Sequence, residues 1–169
     1  VKRKNTEKMS CFYLEKQGLL HNKTINLSDI NPALITTYKI VRDNPSGLIQ
    51  CLQQYQDNHT EELYYKIRDN FHNMKIPLNI ASQFIYLNKT CFNGMWRVNS
   101  DGVNNQSIGH KEKVNLFDSS NLEKCSKALQ NTNIECMSFE NIIDTCNKDT
   151  FVYCDPPYDN IGETGNSSF

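Results

Sequence analysis

Several features are missing from this 169-residue chain. No apolar run reaches the roughly 18 residues that a membrane-spanning helix needs. The basic start from Val1 to Lys8 is not followed by the apolar core of a signal peptide. Charge of one sign is not in excess: the formal net charge is -1, so any nucleic-acid contact must come from a local basic patch. There is no C-x-x-C pair. The seven cysteines (Cys11, Cys51, Cys91, Cys125, Cys136, Cys146 and Cys154) are odd in number and scattered. They read as reduced thiols in a cytosol, each a small buried hydrophobe, and not as a disulfide framework. His21, His59, His72 and His110 stand alone without metal-ligand spacing, so no metal site is expected. No internal repeat occurs. Asparagine is over-used alongside lysine and isoleucine, and sequons such as Asn58-His59-Thr60 arise from that drift. The expected protein is cytoplasmic, without a membrane partner.

What is present suits one globular domain, with 38% hydrophobic residues to build a core. Phe12-Tyr13-Leu14 and Leu19-Leu20 bracket Gly18, as in a helix with a glycine C-cap. Thr24 to Ser28 alternates and predicts a short strand. Asn31 with Pro32 predicts a helix start, with Leu34, Ile35, Tyr38 and Val41 facing inward and Asn44-Pro45-Ser46-Gly47 as the stop. Three further helical stripes follow: Leu48, Ile49, Leu52, Tyr55; then Leu63, Tyr64, Ile67, Phe71 behind Thr60-Glu61-Glu62; then Leu78, Ala81, Phe84, Ile85, Tyr86 behind Pro77.

Periodicity breaks between Asn88 and Asn115. Ser100-Asp101-Gly102, between Trp96-Arg97-Val98 and Val103, predicts a hairpin in a mildly basic segment that holds Lys89, Arg97, Lys111 and Lys113. Alternation then resumes: a helix over Asn121 to Gln130, a strand over Asn133 to Met137, a helix over Glu140 to Cys146. Thr150-Phe151-Val152-Tyr153-Cys154 is a continuous β-prone run, as in a strand buried on both faces. This order argues for an α/β domain with a largely parallel sheet, with the middle helices and the hairpin as an insertion.

The β-prone run ends at Asp155-Pro156-Pro157-Tyr158, where ligands sit in open α/β sheets. The prolines stiffen the loop and carry no N–H, leaving the Asp155 and Pro156 carbonyls and the Asp155 carboxylate as acceptors. Such a cluster can hold an exocyclic NH2 by its protons and favour a pyramidal, nucleophilic nitrogen. Tyr158 offers a stacking face worth about 1–3 kcal/mol, comparable with the few kcal/mol that flipping a base costs. An ordinary Asp-Pro turn with a packed tyrosine is the plain alternative.

Three collinear segments resemble the Dam-like (D12 class) adenine-N6 DNA methyltransferases. Leu27-Ser28-Asp29-Ile30-Asn31-Pro32 is similar to the family's acidic strand-end motif. Tyr86 to Asn99, with its N-G-x-x-R-x-N core, is similar to the target-recognition stretch, and Val152 to Tyr158 to the catalytic motif. The resemblance implies a partial Rossmann-like sheet for S-adenosylmethionine-dependent methyl transfer, with a helical plus β-hairpin DNA-recognition insertion. It divides the chain into 1–58 and 121–169 as methyltransferase parts and 59–120 as the insertion. It implies Asp155, Pro156, Pro157 and Tyr158 as catalytic residues. Asp29, Ser138, Phe139 and Asp155 are implied to bind S-adenosylmethionine, with core packing as the alternative for Phe139. Lys89, Asn93, Arg97, Asn99 and Lys111 are implied on double-stranded DNA, Arg97 suiting a guanine edge and the lysines, Lys113 included, phosphates.

The family's glycine-rich cofactor loop before the acidic strand has no counterpart, Met9-Ser10-Cys11 standing where it should end, and the chain stops soon after Tyr158. The expectation is therefore an N- and C-terminally truncated methyltransferase with exposed sheet edges and a tendency to associate. The alternatives are a non-catalytic DNA-binding remnant, half of a split enzyme whose second chain supplies the loop, and an RNA base-amine methyltransferase. Val103 to Gly109 departs from the family pattern, which leaves the DNA recognition sequence open.

Overall fold

The computed structural model describes Gly18, residues 23–110 and residues 113–154. Two short strands, β1 (Ile25–Asp29) and β2 (Thr132–Cys136), pair in parallel, Asp29 lying opposite Cys136. Parallel neighbours need a long crossover, and here it holds five α-helices: α1 (Pro32–Asp43), α2 (Pro45–Asp57), α3 (Glu61–Asn70), α4 (Pro77–Thr90) and α5 (Ser119–Leu129). No described helix is long and apolar enough to cross a membrane.

Local chemistry starts α1, α3 and α4 where the sequence predicts it, and α5 two residues earlier, at Ser119 behind the Asp118 cap. Asn31 Oδ1 accepts from the amides of Ala33 (3.0 Å) and Leu34 (3.2 Å), with Pro32 at the first helical position. Asn44-Pro45 ends α1 and also starts α2, Asn44 Oδ1 accepting from Gly47 N at 3.1 Å. Thr60 Oγ1 accepts from Leu63 N at 3.1 Å above the acidic first turn of α3. Each such cap stabilises its helix by about 1 kcal/mol. Helix α4 runs past Tyr86 through the fully buried Leu87 to Thr90, so Lys89 stands in a last helical turn and not in the loop.

The helical stripes meet in one core. Ile35 and Val41 of α1, Leu48 and Leu52 of α2, Tyr64 and Ile67 of α3, Ala81, Tyr86 and Leu87 of α4, Leu129 of α5 and Ile134 of β2 are all buried in it. Leu48 and Leu52 have no exposure, which corresponds to roughly 1.5–3 kcal/mol each. Helix α1 packs mainly against α4, and α2 against α4 as well. Arg42, at the end of α1, ties the sheet to this layer. Its Nη1 donates to Thr132 O (3.0 Å), and its carbonyl accepts from Ser126 Oγ (2.9 Å) and Gln130 Nε2 (3.0 Å). Its bidentate pair with Asp43 holds that carboxyl below the usual range through hydrogen bonding.

The helix expected over Glu140 to Cys146 is present as a 3-10 helix, Phe139–Thr145. Two expectations need correction. Thr150 to Cys154 takes no regular structure and is exposed, Phe151 at 73%, because no ladder partner for it stands among the described residues. β-propensity records how a residue suits a pleated, half-buried surface, so without a neighbouring strand it specifies none. The cysteines are also less buried than expected: Cys91 is buried, but Cys136 and Cys154 are exposed. None of the six described cysteines is in a disulfide. The helix expected before Gly18 lies outside the described residues, although Gly18 itself has φ +68.

Candidate functional site

Two places in the fold gather the residues singled out above. The first is the carboxyl edge of the β1–β2 pair. In β1, Leu27 faces the core and the strand ends at Asp29, where Pro32 and the Asn31 cap turn the chain into α1. Asp29 Oδ1 accepts from Asn31 N at 2.7 Å, which aims the carboxylate along the strand end. Its second oxygen has no hydrogen-bond partner among the described residues. The parallel register brings Met137 N to Asp29 O at 3.1 Å, so Ser138 and Phe139 leave β2 at the same edge. Phe139 is 53% exposed, and Ile30 beside Asp29 is exposed too. The ring is therefore not core. A half-buried acceptor and an uncovered aromatic face at one sheet edge can bind a polyol and a flat ring together.

The second place is the segment from the end of α4 to His110. Phe92-Asn93-Gly94-Met95 closes a tight turn, Met95 N donating to Phe92 O at 3.3 Å. Asn93 (φ 55, ψ 13) and Gly94 (φ 64) are both left-handed, a conformation that asparagine and glycine adopt most readily. The N-G pair is thus a backbone requirement as well as a candidate contact. The predicted hairpin is present: Val98 bridges Asn104 antiparallel, Asn99 N donates to Val103 O (2.9 Å), and Asn105 N donates to Arg97 O (3.2 Å). Asn99 Oδ1 accepts from the amides of Asp101 (3.0 Å) and Val103 (2.9 Å), so that oxygen builds the turn. Arg97 is exposed. A groove of about 540 Å³ beside the turn is lined by Asn88, Lys89, Phe92, Asn93 and His110 among others. Lys89 and Asn93 therefore share one groove, whereas Arg97 and Asn99 stand on the adjoining hairpin. Asp155, Pro156, Pro157, Tyr158 and Lys111 lie outside the described residues.

The helical core holds this segment by contacts that sequence reasoning missed. Trp96 packs on Phe84 (centroids 4.6 Å) and Phe71 (5.5 Å). Tyr64, fully buried, donates its hydroxyl toward Gln106 O (3.0 Å) and Ser107 O (3.3 Å), and burial keeps that hydroxyl protonated far above its ordinary range. Gly109 N donates to Thr90 O at 2.8 Å. Tyr64 reads in sequence only as one apolar stripe position, and nothing local signals its hydroxyl's target. Among the described residues no group of histidine, cysteine and acidic side chains could hold a metal ion.

Comparison with known proteins adds an independent finding. Residues 11–168 match the family described as D12 class N6 adenine-specific DNA methyltransferase. The chain is 38% identical over 157 residues to a protein of Methanocaldococcus jannaschii named Type II methyltransferase M.MjaIII, covering 87% of this chain and 54% of that one. It is 32% identical over 144 residues to Type II methyltransferase M1.LlaDCHI of Lactococcus lactis subsp. cremoris, covering 82% and 51%. It is 34% identical over 135 residues to a DNA adenine methylase of Haemophilus influenzae, covering 78% and 47%. The chain spans about half the length of the curated relatives it matches.

Proposed function

The chain belongs to the D12 class N6 adenine-specific DNA methyltransferase family, and from that premise we propose that it serves methyl transfer from S-adenosylmethionine to N6 of an adenine flipped out of duplex DNA. The observation that carries this reading is the shared carboxyl edge of Asp29, Ser138 and Phe139, followed along the chain by Asp155-Pro156-Pro157-Tyr158. A Rossmann-like sheet is the natural extension of the parallel pair, with 59–120 as the recognition part and the flanking segments as the methyltransferase part.

The residues at the edge fit the cofactor. The Asp29 oxygen left over from the Asn31 contact suits a ribose diol, and the exposed Phe139 ring suits an adenine face. When bound, the cofactor supplies an electrophilic methyl group on a sulfonium centre. Asp155 and the Pro156 carbonyl accept from the target amine and turn its lone pair toward the incoming carbon, while Pro157 stiffens the loop and Tyr158 stacks on the flipped base. No general base is needed, because the methylated amine is acidic enough to lose its proton to water. Arg97 reads a base edge, Asn93 and Asn99 shape and flank the reading turn, and Lys89, with Lys111 and Lys113, contacts phosphates.

The test is transfer of labelled methyl from S-adenosylmethionine to unmethylated duplex DNA, digested to nucleosides, with Asp155→Ala alongside. Label in N6-methyladenine that drops about a hundred- to a thousandfold in the variant supports the reading, the range expected when a preorganised hydrogen-bonding group at the reacting centre is removed. Label on RNA instead, or on duplex DNA equally in the variant, overturns it.

A further inference from the structure

The segment between α4 and α5 contains no continuous strand among its described residues. Its two antiparallel contacts, Val98 with Asn104 and Cys91 with Ile108, are isolated bridges. Such a segment cannot fix its own direction relative to the helices, so whatever ties it to the core decides where its exposed side chains stand. The first limb is tied by an apolar contact, Trp96 on Phe71 and Phe84. The return limb is tied by a directional one. Tyr64 on α3 sends its hydroxyl across 42 residues of sequence to Gln106 O, and Arg68 Nη1 reaches the same carbonyl at 3.3 Å.

A phenylalanine at position 64 would fill the same core volume, so packing alone does not call for this hydroxyl. Gln106 is itself a junction. Its amide donates to Asn104 Oδ1 at 2.9 Å and its side-chain Nε2 to Phe92 O at 3.4 Å, while Phe92 N donates to Ser107 O at 2.9 Å. Its neighbour Asn105 donates to the carbonyl of Arg97. Gln106 and its neighbours thus connect α3 to both the N-G turn and the hairpin.

We propose that Tyr64 is a positioning residue for DNA recognition: its hydroxyl sets the register of the 104–107 limb and thereby where Arg97 and Asn93 meet the duplex. The assignment rests on the DNA-methyltransferase reading above. Tyr64 touches neither substrate nor cofactor in this scheme and acts only through the Gln106 and Ser107 carbonyls.

The experiment uses the whole chain and a duplex selected by the wild-type chain from a randomised pool. Tyr64→Phe is expected to speed amide exchange at Phe92, Asn105 and Gly109 while leaving the amides inside α1 and α2 unchanged. It is also expected to weaken duplex binding about fivefold, the size of one neutral hydrogen bond. The slope of affinity against salt stays the same, because no phosphate contact is removed. Tyr55→Phe is the control: that hydroxyl accepts from Gln83 Nε2 at 3.3 Å, away from the limb, and its loss leaves the three amides and the affinity as in the wild type. The assignment is overturned if Tyr64→Phe binds like the wild type, if its salt slope falls, or if Tyr55→Phe produces the same changes. If the wild-type chain selects no duplex at all, the underlying functional reading fails, and the exchange rates still report separately whether the hydroxyl holds the limb.

Discussion

Replacing Gly109 with alanine adds one methyl group where the fold leaves no space. A Cβ there lies 3.0 Å from Cys91 O, 3.1 Å from Thr90 O and 3.3 Å from the Cys91 carbonyl carbon. These distances fall inside the roughly 3.5–4.0 Å optimum for non-bonded contacts of carbon. The obstacles are backbone atoms at the end of α4, and they are held: Thr90 O accepts from Gly109 N, Cys91 N donates to Leu87 O at 2.9 Å, and Cys91 O accepts from Gly94 N at 3.2 Å. Relief must stretch one of those bonds. Overpacking of this kind costs about 1–3 kcal/mol, and the stiffer unfolded chain returns about 0.4–1, so the net loss is about 1–2 kcal/mol. Gly47 is the internal comparison. Its Cβ meets the Asn44 side chain even more closely, at 2.6 Å, but that side chain can rotate away. Rotation gives up the α2 cap, about 1 kcal/mol, and alanine regains about 0.5–1 over glycine inside a helix, so Gly47→Ala is expected within about 0.5 kcal/mol of the wild type. Urea titration decides, through a shift of midpoint at constant slope. A Gly109→Ala chain as stable as the wild type, or less affected than Gly47→Ala, refutes the reasoning.

Asn93→Ala is expected to lose about 1 kcal/mol because the left-handed conformation penalises an ordinary side chain, while Asn93→Gly keeps full stability. Equal midpoints for the two variants in the same titration would contradict this. Phe139→Ala removes an exposed ring, so stability stays within about 0.5 kcal/mol. Calorimetric binding of S-adenosylmethionine weakens by about 1–3 kcal/mol if the ring stacks on the adenine, by analogy with base stacking on aromatic rings, and unchanged binding removes Phe139 from the site. Burial raises the Cys125 thiol above its ordinary value; a raised value keeps the thiol protonated, so less thiolate is available at any given pH. Iodoacetamide at about pH 8 should therefore label the exposed Cys136 and Cys154 before Cys125. Peptide mass spectrometry showing Cys125 labelled first would oppose that order.

Much of the helical layer was legible because helix starts are local. Asn31-Pro32, Thr60-Glu61 and Pro77 each act within four residues of themselves and open a helix at the expected place, while Asn44-Pro45, expected only as a stop, also starts α2. The hairpin at Ser100-Asp101-Gly102 is local in the same way, and Gly102 takes φ 76 as a D-G turn requires. The acidic end of β1 was legible from its own segment, with the strand placed one residue later than the alternation suggested. Thr150 to Cys154 was misread because strand formation needs a neighbour as well as β-branched and aromatic side chains.

The sequence by itself therefore determined most of the helix starts, the turn chemistry, the composition of the core and the motifs that point to adenine methylation. All of these depend on interactions within a turn or two of chain, or on residue type alone. Tertiary structure decided which distant groups meet. It paired Asn26 with Asn133, 107 residues apart, and so brought Phe139 to the same sheet edge as Asp29. It exposed the Phe139 ring, aimed the Tyr64 hydroxyl at Gln106 O, and pressed Gly109 against the end of α4. Each of these depends on where separate elements come to rest against one another, a position fixed by the shared core and not encoded in any one segment.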